Sequence, residues 1–273
     1  MQLKEIGLCD DEDIDLIEAG IALSLADRPD DRDIEADAAR LRRLVSGWAM
    51  AINRDIAPTA AGARARRLAG IIAGEARLTG ATEDYDHPLN ADLVAVAARG
   101  RGLPVALSIL YVALARRVGW RAEALNLPGH VIVEVHGQGE PALIDPFDHG
   151  MGLTRARALD IARHGGGVEA GGGSDGRFPP LSNRALLVRL LSNQAARARG
   201  SGNSVRALAL FERMTLIAPA MPALWWERAR LEQLIGRMGA ARSSLIAMLE
   251  TTRDEGLRRR IEAVIASLAR SEN

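Results

Sequence analysis

Two ionisable side chains stand where one β-hairpin can bring them together. His130 opens the β-branched run Val131-Ile132-Val133-Glu134-Val135, and Asp145 closes the run Ala142-Leu143-Ile144. Gly137-Gln138-Gly139-Glu140 between them reads as a turn. If those four residues are the loop, His136 faces Pro141 and Asp145 faces Ile132. Ile132 shares a sheet face with His130, so Asp145 and His130 become diagonal cross-strand neighbours, within reach of an aromatic side chain. A one-residue slip would put them on opposite faces. An imidazole held by a carboxylate does proton-transfer chemistry: the carboxylate fixes the tautomer and the imidazole serves as general base.

A nucleophile for that base is harder to find. Gly102-Leu103-Pro104 leads into the apolar run Val105–Val118, a helix that Pro104 opens and Gly119 closes. Ser108 lies one turn beyond Pro104 on the same helix face, but a mid-helix hydroxyl usually bonds its own preceding carbonyl. Cys9 is the only cysteine, and the acids after it (Asp10, Asp11, Glu12) disfavour a thiolate. Asn90, Ser108 and Asn126 are candidate binding residues. His87, His149 and Asp145 suggest a metal set, yet no helix-spaced histidine pair supports it, and neither a metal nor a cofactor is expected. Trp225-Trp226 read as packing. The runs Gly165–Gly167 and Gly171–Gly173 lack the strand-to-helix setting of a phosphate loop.

The elements that position these groups read as α+β and mostly helical. Residues 1–80 carry apolar residues at helical spacing, interrupted near Pro58, with Asp30-Asp31 as a helix start. Residues 79–90 read mostly as loop, 90–98 as a short helix and 121–126 as a weak strand. GGGVEAGGGSDG, residues 165–176, reads as a linker. Beyond it Ala195, Gly202, Ala207 and Phe211 recur 34 positions later as Ala229, Gly236, Ala241 and Leu245. A helix–turn–helix period of that length is similar to the tetratricopeptide repeat. The expected domains are 1–164, a linker over 165–180, and two repeat units over 181–273.

One stretch is more specific. A glycine, a variable residue and a cysteine at a helix N-terminus, then a histidine at a strand start, then Asp-Pro on the next strand, form the pattern of the transglutaminase-like (papain-like) fold. EDYDHPLNADL, RGLPVALSILYVALARRVGW, LPGHVIVEV and LIDPFDHGMGLT resemble the SirB1 family, which joins such a core to C-terminal tetratricopeptide repeats. The resemblance covers about residues 10–260 and is densest from Asp84 to Thr154. It implies that the catalytic histidine falls on His130, the aspartate on Asp145 and the nucleophilic cysteine on Pro104, which has no nucleophile; Gly-x-Pro is common there in this family. The pattern implies a non-catalytic protein-interaction module, a pseudoenzyme. The alternative is a hydrolase or acyl transferase in which His130 activates water or a substrate hydroxyl.

Composition narrows the partners. The 273 residues carry 35 basic and 35 acidic side chains, so no overall charge draws the chain to nucleic acid or an anionic membrane. That zero is a cancellation: residues 1–40 hold 13 acids and 4 bases, and residues 177–273 hold 16 arginines and 8 acids. No apolar run spans a bilayer and no secretory signal is read. The expectation is a cytoplasmic protein with a protein or peptide partner.

Overall fold

A computed structural model of the chain describes residues 2–165 and 178–271. The predicted linker therefore lies largely outside the described residues. In chain order the elements are α1 (Leu3–Leu8), α2 (Leu16–Asp27), α3 (Ile34–Asn53), α4 (Ala61–Ala69), β1 (Thr79–Gly80), α5 (Leu93–Arg99), β2 (Arg101–Gly102), α6 (Pro104–Arg117), β3 (Ala122–Leu127), β4 (His130–Val135), β5 (Ala142–Asp145), β6 (Met151–Leu153), α7 (Arg155–His164), α8 (Asn183–Gly200), α9 (Ser204–Ile217), α10 (Pro222–Leu234), α11 (Met238–Thr251) and α12 (Glu255–Ser271). The architecture is mostly helical with a small sheet. It forms two compact units, Asp11–Leu187 and Met1–Asp10 with Val188–Asn273.

In the Asp11–Leu187 unit, α6 is the central helix. Only Ala113, Arg116 and Arg117 escape burial along it, the pattern of a helix enclosed on all sides. Pro104 sits at its first position, and Gly119 follows the cap with φ +76°, a left-handed backbone that glycine adopts without strain. The antiparallel sheet β3-β4-β5-β6 packs against it. Pro128-Gly129 makes a two-residue turn between β3 and β4, with Gly129 at φ +70°. The β4–β5 register pairs Val133 with Ile144 and Val135 with Ala142, the alignment that the Gly137–Glu140 loop predicts. One face of the sheet buries Leu125, Leu127, Ile132 and Leu143 with Ala158 and Ala162 of α7 and with Phe178.

Several elements differ from the sequence reading. The mostly loop stretch 79–90 contains two short regular pieces: Thr79 and Gly80 pair in parallel with Arg101 and Gly102, and Pro88–Ala91 is a 3-10 turn. Two residues are too few for an alternation to show. Strand β6 escapes for the same reason. Helix α3 begins at Ile34, three residues after Asp31, whose carboxylate instead accepts the Asp33 N–H at 3.1 Å. Helix α5 begins at Leu93 because Asp92 caps it, accepting the Ala95 N–H at 2.8 Å. The buried Asp92 also takes Ser24 Oγ at 2.9 Å and Arg28 Nε at 3.1 Å, tying α2 to α5.

In the other unit α8/α9 and α10/α11 are the paired helices. Equal places in the 34-residue period hold equal environments: Ala207 and Ala241 are fully buried, as are Ala195 and Ala229 within a few per cent. Gly202 and Gly236 take the left-handed backbone between helices, at φ +74° and +81°. Helix α12 lays Ile261 and Leu268 against Ala229, Ala241, Leu245 and Met248. Trp225 donates to the Pro219 carbonyl at 2.7 Å and lies under Arg228, a packing role.

Candidate functional site and family

The hairpin brings His130 and Asp145 into contact. Nε2 of His130 lies 2.9 Å from Oδ2 of Asp145, and Oδ1 accepts the Phe147 N–H at 2.9 Å. Asp145 is 5% exposed. Both its oxygens are therefore committed and its orientation is set by backbone. With Asp145 ionised, Nε2 is the donor and Nδ1 is left as the acceptor of the imidazole. The segment after Asp145 turns at once. Gly150 N–H donates to the Asp145 carbonyl at 2.8 Å, with His149 at φ +52° and Gly150 at φ +69°, and Met151 returns opposite Asp145.

Aromatic rings extend the pair. Phe147 meets His130 edge to face, centroids 6.1 Å apart, and meets Tyr85 in the same manner at 5.9 Å. Gly80 donates to the Phe147 carbonyl at 3.0 Å, and a side chain at Gly80 would overlap the Phe147 ring. Gly80 pairs with Gly102, two residues before Pro104. A path of ring contact, hydrogen bond and strand pairing thus runs from the imidazole through Phe147 and β1–β2 to the start of α6. Both tyrosines of the chain lie in this neighbourhood. Tyr111, two turns beyond Pro104, is fully buried, and its hydroxyl has no hydrogen-bond partner among the described residues. Burial, and secondarily the charge of Asp145, raises its pKa well above the usual phenol value. The rarity of aromatics, 3% of residues, was the available signal for Tyr85, Phe147 and Tyr111.

Asn90 is wholly buried and braces the loop before it. Its Nδ2 donates to the Asp84 carbonyl at 2.6 Å, its Oδ1 accepts Arg99 at 2.9 Å, and its own carbonyl accepts the Leu103 N–H at 2.8 Å. It so fixes both Tyr85's loop and the residue before Pro104. Ser108 is fully buried, and its hydroxyl reaches Val131 O at 3.4 Å, not the preceding helical carbonyl. Asn126 is opposite Val131 while His130 is opposite Leu127, so Asn126 lies on the other sheet face from His130. His87 Nδ1 accepts the Leu89 N–H, capping the 3-10 turn. Among the described residues His87, His149 and Asp145 do not form a group of metal-ligating atoms, whereas Glu123, Glu134 and His136 do. Cys9 lies just past α1, at its C-terminal cap.

Residues 34–192 match the transglutaminase-like superfamily, well over half of the chain. The chain belongs to that superfamily. Residues 194–266 match the tetratricopeptide repeat. The chain is similar to a UPF0162 protein of Xylella fastidiosa (strain 9a5c), 26% identical over 174 residues, 63% of this chain and 62% of that protein. A UPF0162 protein of strain Temecula1 is 27% identical over 177 residues, with the same shares. The chain thus matches less than two thirds of these relatives' length. Human F-box only protein 21 is 30% identical over 79 residues, 29% of this chain and 13% of that protein. No solved structure matches the chain.

Proposed function

We propose that this chain is a non-catalytic, cytoplasmic protein-interaction module, a transglutaminase-like pseudoenzyme carrying repeats. In this reading residues 1–164 are the core, 165–180 a linker and 181–273 the repeat tail. One observation carries it: the position that the family resemblance assigns to the thiol is Pro104, and Ser108, the next hydroxyl on that helix face, is buried against Val131. His130 and Asp145 then act as a binding and bracing pair for a peptide segment, and the repeats supply a helical surface for a protein partner. Of the partners crosslinked to the full chain, those held at the core should be lost in His130→Ala and those held by the repeats should be lost when residues 183–271 are deleted. Retention of every partner after that deletion would sink the repeat half of the reading.

The intact pair favours a second reading. A buried carboxylate holding an imidazole with one uncommitted nitrogen suits a general base, so a hydrolase or acyl transferase would use His130 on water or a substrate hydroxyl. Turnover of ester or amide substrates that disappears in His130→Ala, with circular dichroism unchanged, would establish it and overturn the first.

A further inference from the structure

The sheet face that carries His130 and Asp145 holds a second polar cluster at its other end. Leu127 pairs with His130, Leu125 with Ile132 and Glu123 with Glu134. The His136 N–H continues the ladder by donating to the Arg121 carbonyl at 2.9 Å, and His136 shares the face of Glu134. The apolar pair Leu125–Ile132 separates the two ends. Six residues of strand put His136 about 20 Å from His130.

Two carboxylates directly opposite one another repel. Here their oxygens divide the work. Arg121 takes Oε1 of Glu123 at 2.9 Å, and Arg155 stands 3.8 Å from Oε2 of Glu134. The other two oxygens turn towards Nε2 of His136, at 3.6 Å from Glu123 and 3.4 Å from Glu134. That nitrogen is shielded from solvent and makes no hydrogen bond among the described residues. Both separations exceed those of N–H···O bonds from an imidazolium. They match the edge, about 3.3 Å, of a tetrahedron with bonds of about 2.0–2.1 Å from metal to nitrogen or oxygen. All three donor atoms lie within 4.8 Å of one another.

We propose that Glu123, Glu134 and His136 bind one divalent cation of the zinc class, with the fourth position open to water or a ligand. Arg121 bonds the outer oxygen of Glu123 and so orients the inner one, and Arg155 faces the outer oxygen of Glu134. Arg64 fixes the histidine from behind, donating to the His136 carbonyl at 2.9 Å. The nearby guanidiniums oppose a dication, so the affinity falls short of that of a structural zinc site.

Tag-free full-length protein, stripped with chelator, is titrated with zinc chloride by calorimetry and with cobalt chloride by visible absorption. One zinc per chain with a micromolar Kd, and the intense bands of tetrahedral cobalt, are expected. His136→Ala, Glu123→Gln and Glu134→Gln each weaken binding at least tenfold, while His130→Ala and Cys9→Ser leave it unchanged. Circular dichroism confirms the fold of each variant, and the near-isosteric glutamine substitutions decide the matter if His136→Ala unfolds. Absence of saturable binding, or equal affinity in the glutamine variants, overturns the proposal.

Discussion

His130 spends one ring nitrogen on Asp145, and the other makes no hydrogen bond among the described residues. That free nitrogen gives a direct test of the place assigned to Pro104. In a Cys9→Ser background, Pro104→Cys puts a thiol at the first turn of α6, where the helix dipole favours the thiolate. Its alkylation rate should titrate well below the free-thiol value of about 8.5, and adding His130→Ala should move the midpoint back up. A midpoint indifferent to His130 would show that position 104 does not face the imidazole. Tyr111 calls for the opposite kind of substitution. Its hydroxyl is buried without a partner, so desolvation is uncompensated. Tyr111→Phe should leave the melting temperature unchanged or raise it, by up to about 1 kcal/mol of stability, whereas a clear loss would mean that the hydroxyl has a bonded role.

At the level of elements, the short pair β1–β2 is what holds the aromatic rings to the imidazole. Gly80 lacks a side chain because the Phe147 carbonyl and ring occupy that space. Gly80→Ala forces Phe147 aside, and overpacking of this kind costs about 1–3 kcal/mol. The shift should also appear as a changed His130 ring environment by NMR, and an unmoved His130 signal would separate Phe147 from the site. These elements also show which parts of the fold a sequence exposes. The β4–β5 register was legible because a β-branched run, a glycine turn and a second apolar run place the loop at Gly137–Glu140, and that loop gives an alignment with His130 and Asp145 on one face. The repeats were legible because small residues recur where helices must approach closely. Strands β1, β2 and β6 were not, since two or three residues carry no period. Phe147 was missed because a lone aromatic after Asp-Pro says nothing of the ring it meets. The Glu123–Glu134–His136 cluster was hidden until the register set two like charges face to face.

Across the whole chain, several acids of the first 40 residues are paired with arginines. Arg42 hydrogen-bonds Glu18 and holds its carboxyl below the ordinary range, Arg28 bonds Asp92 and Asp31, and Arg117 and Arg184 face Asp15 and Asp11. Arg184 belongs to the basic C-terminal segment, so at Asp11 the two charge-biased segments meet in an ion pair at 3.6 Å. A further link between the ends of the sequence is apolar. Helix α1 packs on α9, Ile6 is fully buried, and Gly7 lies so close to the Leu216 carbonyl that a side chain would overlap it. The first residues thus belong to the repeat unit, although about 180 residues separate them from it in sequence. Two repeats are fewer than such arrays usually need, and the missing burial has to come from somewhere. Helix α12 covers α10 and α11, and α1 supplies part of the cover for α9. Ile6→Ala removes a buried isoleucine and should cost about 2–5 kcal/mol. The cost should fall on one unit: hydrogen exchange should lose protection in α9, while the amides of β4 in the Asp11–Leu187 unit keep theirs. Equal protection of α9 in both proteins would mean that the repeats stand without the N-terminal helix.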